Sequence, residues 1–316
     1  METTAFTAIL DVSAPVLILI LVGTLLRKRR IIDDGFIASG SRFVFAVGMP
    51  TLLFFSMLGA DPGSIMGWQM PAFFSVGIIL TFAFAWWLAG RLTMPNHERG
   101  VFIQMAFRGN TGVFSLALVV NMFGEEGVVI GGVFASITSI MFNILAELAL
   151  SRYQQHSTFS YRALLRSIVT NPMILGVVAG ISVNYLNIPI PKQIVTAGKY
   201  LGSATLPLAL LCVGASLATS AFVLTRTTSL AMFIKIFVSP VVLTTIAAFS
   251  GFSDHELVYL FLFFGAPVAA SAYVVSIAHG SDGKQTANAI ATSTLLGSGV
   301  IILVAPVLLA FLSSIS

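Results

Sequence analysis

Charge and cysteine are what this chain has least of. Of its 316 residues only 9% are charged, and one, Cys212, is a cysteine. Soluble domains carry about a quarter of their residues as charges, so a soluble fold is excluded. A lone cysteine permits no intrachain disulfide and says nothing of redox compartment. No G-x-x-x-x-G-K-[ST] loop is present, so the chain is not its own ATPase. The four histidines, His97, His156, His255 and His279, form no H-x-x-x-H pair, and no metal or cofactor is expected. Gly214-Ala215-Ser216 has half of a nucleophile turn, without the second glycine or an intramembrane histidine as base. Its small residues read as a packing face, and no residue is assigned a catalytic role.

What is present is apolar sequence, at 57% of residues. A helix needs about 20 apolar residues to cross a bilayer. Ten runs approach that length: Phe6–Leu26, Phe36–Leu58, Trp68–Leu92, Val101–Phe123, Val128–Leu150, Ile168–Leu186, Ile194–Ala218, Leu230–Phe249, Leu257–Ala278 and Ala287–Leu312. The expected fold is an all-α, ten-span membrane protein. With the N-terminus outside, the inner loops hold Arg27, Lys28, Arg29, Arg30, Arg91, Arg99, Arg152, Arg162, Arg166, Arg226 and Lys284, and the outer loops only Lys192 and Lys199. This positive-inside bias places both termini on the non-cytoplasmic side of a plasma (inner) membrane. The net charge of +4 is then loop charge sorted by insertion, with the bilayer as partner and no nucleic acid. No basic stretch precedes the first run, which reads as a retained helix.

The chain also repeats itself at an offset of 157 residues. Pro15 recurs as Pro172, Gly23 as Gly180, and Pro50 as Pro207; Phe107-Arg108-Gly109-Asn110 falls on Phe264-Gly265-Ala266-Pro267. Residues 1–151 and 167–316 are the two copies, joined by a cytoplasmic linker at 152–166. Five runs per copy is an odd number, so the second copy must sit inverted. Inverted copies, each with an interrupted helix at the same place, are the signature of a carrier with a midplane site.

The fourth run holds Arg108-Gly109-Asn110-Thr111-Gly112, groups expensive in a membrane unless they line a cavity. The equivalent segment, from Gly265 to Ala272, contains Pro267, which removes a backbone donor, and Ser271. Both helices are expected to open and to cross near Gly112–Ser115 and Ala269–Ala272. Each second half-helix then points its positive N-terminal end at the midplane, and Arg108 adds a full charge. Substrate-binding candidates are Arg108, Asn110, Thr111, Gly112, Ser115, Asn143, Pro267 and Ser271, with Gly109, Gly265, Pro50 and Pro207 as helix breaks or kinks. The competing reading is that Gly and Pro here make only kinks. Arg42 is expected to snorkel to the inner surface. Glu147 and Lys235 are candidates for proton carriage or for ion pairing, Glu147 with Arg42, Arg108 or Lys235, and the structural role is favoured for both.

Taken together, several segments resemble the auxin efflux carrier family of bacterial and plant permeases: Phe43-Val44-Phe45-Ala46-Val47-Gly48-Met49-Pro50-Thr51-Leu52-Leu53-Phe54, Asn110-Thr111-Gly112-Val113-Phe114, Asn171-Pro172-Met173-Ile174, Leu201–Leu210, Gly214-Ala215-Ser216-Leu217 and Ala266–Val274. The resemblance covers nearly the whole chain and is closest to short bacterial-type members. It implies a five-plus-five inverted fold like that of bile-acid sodium symporters and sodium/proton antiporters. In that scheme the first, second, sixth and seventh spans form a scaffold and the others a moving transport domain. It also implies a homodimer, export or exchange of small carboxylates such as malate, malonate or auxin, and a substrate contact at Asn143. Family members often carry a proline shortly after the Asn-x-Gly; here the stretch reads Ser115-Leu116-Ala117. The expected function is elevator-type transport of a small organic anion. The alternatives are sodium-coupled symport, or a non-transporting sensor on the same fold.

Overall fold

Backbone surrounded by hydrocarbon must satisfy its N–H and C=O groups within itself, and this chain does so as helices. The structure is a computed structural model that describes residues 2–58, 67–153, 162, 165, 166, 169–218, 224–281 and 283–313. In chain order the helices are α1 (Glu2–Lys28), α2 (Asp34–Met57), α3 (Gln69–Arg91), α4 (Asn96–Phe107), α5 (Thr111–Tyr153), α6 (Pro172–Tyr185), α7 (Lys192–Leu217), α8 (Arg226–Phe249), α9 (Asp254–Phe264), α10 (Ser271–Ala278) and α11 (Lys284–Ser313). Among the described residues there is no strand, only one isolated antiparallel bridge, Gly109 with Val268. Among the described residues five helices, α2, α3, α5, α7 and α8, are long and apolar enough to cross a membrane. The linker expected at 152–166 lies mostly outside the described residues.

Helix starts follow the local chemistry. Asp33 accepts the Phe36 N–H at 2.7 Å ahead of α2. Asn171 accepts the Met173 N–H at 3.0 Å, with Pro172 as the first residue of α6. Ser253 and Glu256 form a reciprocal capping box on α9. Such caps serve the free N–H groups of a first helical turn.

Helix α5 is broken at Gly124, whose φ of 58° and ψ of −130° are non-helical. The two limbs fold back on each other: a Cβ on Gly127 would lie 2.2 Å from Val119 O, and one on Gly131 would lie 2.5 Å from Leu116 Cδ1. The fourth and fifth apolar runs therefore form a helical hairpin. Two other helices contain one wide turn each, Val44–Gly48 in α2 and Ile234–Val238 in α8. Pro50 and Pro240 each stand two residues after such a turn, where a missing N–H costs the ladder least. Helix α5 opens with the same wide turn, Thr111–Ser115, and the residue two beyond it is Ala117, without the proline. Pro207 lies inside α7, which stays helical across it.

Apolar side chains face outward as well as inward. Ile18 and Leu21 on α1, Val76, Ile79 and Leu80 on α3, and Leu175 and Val178 on α6 are exposed at helical spacing. Water would not sustain such a surface; lipid does. The chain is membrane-embedded.

Helices α1 and α7 pack closely, as do α2 and α6. The first contact depends on absent side chains. A Cβ on Gly214 would lie 1.9 Å from Ile20 O, and one on Gly23 would lie 2.2 Å from Leu211 O. Thr24 Oγ1 donates to Gly214 O at 2.8 Å across the same seam. Gly214→Val should cost about 1–3 kcal/mol, the usual cost of overpacking. The check is a lower thermal midpoint for the purified protein than for Gly90→Val, since Gly90 faces open space.

Candidate functional site

Two helices stop short and their loose ends meet. Helix α4 ends at Phe107, and Arg108 leaves the helix with φ −81° and ψ 105°. Helix α9 ends at Phe264, and the chain becomes helical again only at Ser271. Between these ends Gly109 lies opposite Val268. The Asn110 N–H donates to Pro267 O at 2.7 Å, and the Ala269 N–H donates to Arg108 O at 3.1 Å. The Val268 N–H donates to Ser293 Oγ of α11 at 3.0 Å. Several backbone groups released by the two breaks are thus bonded within the crossing itself or to side chains, as burial favours.

The crossing is at Arg108–Asn110 with Pro267–Ala269, a few residues before the place expected in α5. The reason lies in the pairing. An extended segment must supply an N–H and a C=O to its partner, and Pro267 has only a carbonyl. The partner donor is Asn110, so the register starts there. Thr111–Ser115 is already the first, wide turn of α5.

A recess of about 90 Å³ opens beside the crossing. Six of the eight candidates from the sequence line it: Arg108, Asn110, Thr111, Gly112, Asn143 and Ser271. Two do not. The Ser115 hydroxyl is buried and donates to Leu262 O at 2.7 Å, tying α5 to α9. Pro267 serves through its carbonyl within the crossing. Gly265 caps α9, its N–H donating to Phe261 O at 2.8 Å.

Arg108 is 5% exposed. Its guanidinium donates to Phe142 O at 3.3 Å, Asn143 Oδ1 at 3.1 Å and Ser271 Oγ at 3.1 Å, and its Nε–H has no partner. Among the described residues no carboxylate pairs with it. The first turns of α5 and α10 lie beside it, adding the partial positive charge of two helix N-termini. Buried charge is ordinarily paired, and here like signs are gathered without a counter-charge.

On the far side of the same backbone stands Lys235, 3% exposed, its Nζ donating to Phe264 O at the end of α9. A Cβ on Gly109 would lie 2.8 Å from Lys235 Cε and 2.9 Å from Ala266 Cβ. The sequence placed this lysine about a turn and a half from the inner end of its run. Helix α8 instead begins at Arg226, so Lys235 lies two and a half turns in, roughly 13 Å along the axis. Glu147 meets neither Arg42, Arg108 nor Lys235. It accepts from Ser151 Oγ at 2.8 Å and pairs with His279 at 3.1 Å, joining α5 to the end of α10. Arg42 is exposed.

Several functional neighbours escaped the sequence. Gln104 is fully buried and donates to Ala272 O and Ser276 Oγ, each at 3.0 Å, so α4 holds α10 directly. Thr138 bonds Thr111 at 2.7 Å, and Ser139 lines the recess. The signal for Ser139 was present: it precedes Asn143 by four residues, one helical turn on the same face. Among the described residues no three His, Cys, Asp or Glu come together as metal ligands.

The recess opens off a larger cavity of about 840 Å³, the two sharing Phe45, Asn110 and Ala270. Walls of the larger space come from α2 and α7 on one side, including Ser41 and Val213, and from Tyr273 and Asn288 of α10 and α11 on the other. Thr225 and Lys284, at helix starts, also line it.

Known proteins bear on what this arrangement is. A family profile described as a membrane transport protein matches residues 8–306. An uncharacterized transporter of Methanocaldococcus jannaschii is 26% identical over 222 residues, 67% of this chain and 70% of that protein. With a match over nearly its whole length, the chain belongs to the auxin efflux carrier family of membrane transport proteins.

Proposed function

We propose that the protein is a secondary carrier for a small organic anion, working by elevator-type alternating access, and not an enzyme. The single observation that carries this reading is Arg108. It is a buried cation with an idle N–H, beside two helix N-termini, in a recess that opens off a cavity. A carboxylate in that recess supplies the missing counter-charge, and Asn110, Thr111, Asn143 and Ser271 surround it with hydrogen-bonding groups.

Contacts support the inverted repeat. Gly23 packs on Leu211, and Gly180 packs on Phe54. An offset of 157 turns Gly23 into Gly180 and Leu211 into Phe54, so one contact is the image of the other. The same operation exchanges Asn110 and Pro267, which bond to each other at the crossing. A pseudo-two-fold axis through that bond accounts for both. Ten spans follow, with α4 and the first limb of α5 as the fourth, and α9 and α10 as the ninth. Helices α1, α2, α6 and α7 then form the scaffold, and α3–α5 with α8–α11 the moving body. The large cavity lies between these two groups, where sliding would close it. Its lining reaches Thr225 and Lys284, at the basic loops that the positive-inside rule makes cytoplasmic. In the cell the protein is read as a plasma-membrane homodimer with both termini outside.

The test is counterflow of labelled carboxylates in proteoliposomes, run beside thermal-shift screening of the same compounds. A substrate should raise the unfolding midpoint by mass action and exchange across the membrane. A compound that stabilises without any exchange would identify a sensor.

A further inference from the structure

We infer that the Lys235 ammonium is a built-in substitute for a coupling cation, so that this carrier works without sodium. The inference rests on the reading of the crossing as a transport site and adds an ion-coupling assignment to it. In carriers with broken helices, the carboxyl ends of half-helices and unwound carbonyls are where a cation sits. Here that position is filled by the protein. Lys235 Nζ donates to Phe264 O, the last carbonyl of α9, and lies against Gly109 at the break after α4. The negative end of the α9 dipole faces it. Nothing acidic competes for it: among the described residues Lys235 has no carboxylate partner, and its bonding is to backbone.

The two faces of the crossing are therefore opposite in kind. One gathers helix N-termini and Arg108 and lacks an anion. The other gathers a helix carboxyl end and supplies its own cation from α8. Because α8 belongs to the proposed moving body together with α9 and α4, the ammonium travels with the crossing. A diffusing ion would have to be loaded and released in each cycle, whereas a tethered one neutralises the carboxyl end in every state.

The experiment uses purified full-length protein, prepared and heated in sodium chloride or in choline chloride at equal ionic strength. The wild type is expected to unfold at the same temperature in both salts. Lys235→Gln removes the charge and leaves an amide oxygen in its place. It is expected to unfold several degrees lower in choline, with a saturable recovery as sodium is added. Recovery of folded Lys235→Gln from sodium alone counts the same way. Lys235→Arg keeps a charge and should stay indifferent to sodium. A Lys235→Gln protein that behaves alike in both salts, folded in both or in neither, overturns the inference, as does a wild type stabilised by sodium. None of these readouts uses flux, so a protein that moves no anion yet shows sodium rescue of Lys235→Gln would sink the carrier reading and leave the cation assignment standing.

Discussion

Arg108→Ala should abolish carboxylate exchange while leaving a folded protein. Truncating one partner of a buried, hydrogen-bonded charge pair costs about 2–5 kcal/mol of binding, or roughly thirtyfold to several-thousandfold in affinity. The protein without ligand is affected differently. It loses three hydrogen bonds, to Phe142, Asn143 and Ser271, each worth about 1 kcal/mol or somewhat more. It also loses a buried cation placed beside two positive helix ends, which relieves an electrostatic cost. These terms oppose each other, so the unfolding midpoint of the variant should stay near that of the wild type. The shift produced by a bound carboxylate should vanish. Arg108→Lys keeps the charge but not the planar fork, and should bind the same ligand with intermediate affinity. Uptake by Arg108→Ala at the wild-type rate would remove the guanidinium from the site and leave its burial unexplained.

The sequence shows some of this and hides the rest for identifiable reasons. Helix identity and extent are local properties, so the apolar runs coincide largely with helices and the polar Arg108–Gly112 stretch contains a break, at Arg108–Asn110. The 157-residue offset is legible because helix-breaking residues are costly wherever they occur, and Pro15 with Pro172 and Pro50 with Pro207 share that spacing. The register of the crossing is not local. It is set by which donor faces the carbonyl of Pro267, a residue 157 positions from Asn110, and no property of either segment alone fixes that. The proline that family members often carry after Asn-x-Gly is absent from Ser115-Leu116-Ala117, and the wide turn of α5 forms without it. Lys235 was misjudged because its depth depends on where α8 begins, and Arg226–Ser229 is polar enough to pass for loop until Thr225 is seen capping it. Gln104 lies among apolar neighbours as one amide per helix, a pattern that reads equally as packing. Its partners on α10 appear only when α4 and α10 are side by side.

Gly109→Ala should reduce transport by about one to two orders of magnitude, because the added methyl acts at the crossing itself. Gly109 sits in the extended pair at a point where three segments of the chain converge. The new methyl would lie 2.9 Å from Ala266 Cβ, 2.8 Å from Lys235 Cε and 3.0 Å from Lys235 Nζ. Contacts that short must be relieved. Lys235 is held by the Phe264 carbonyl, so it cannot swing aside without giving up that bond. The paired backbone must then separate, stretching the Asn110 to Pro267 and Ala269 to Arg108 bonds. Overpacking of this kind costs about 1–3 kcal/mol, and misplacing Arg108 by about an ångström has its own penalty of roughly a hundredfold where geometry governs the event. Ala266 is the residue that the 157 offset places on Gly109, which suggests a direct check. Gly109→Ala combined with Ala266→Gly moves one methyl from one side of the crossing to the other and removes the methyl-to-methyl part of the clash, leaving only the Lys235 contacts. Flux in the double variant should recover by at least about tenfold over Gly109→Ala, a coupling of the size seen between touching residues. If the single variant transports normally, the close approach at the crossing is not what positions the site. If the double variant is no better than the single, Lys235 rather than Ala266 is the neighbour that the glycine makes room for.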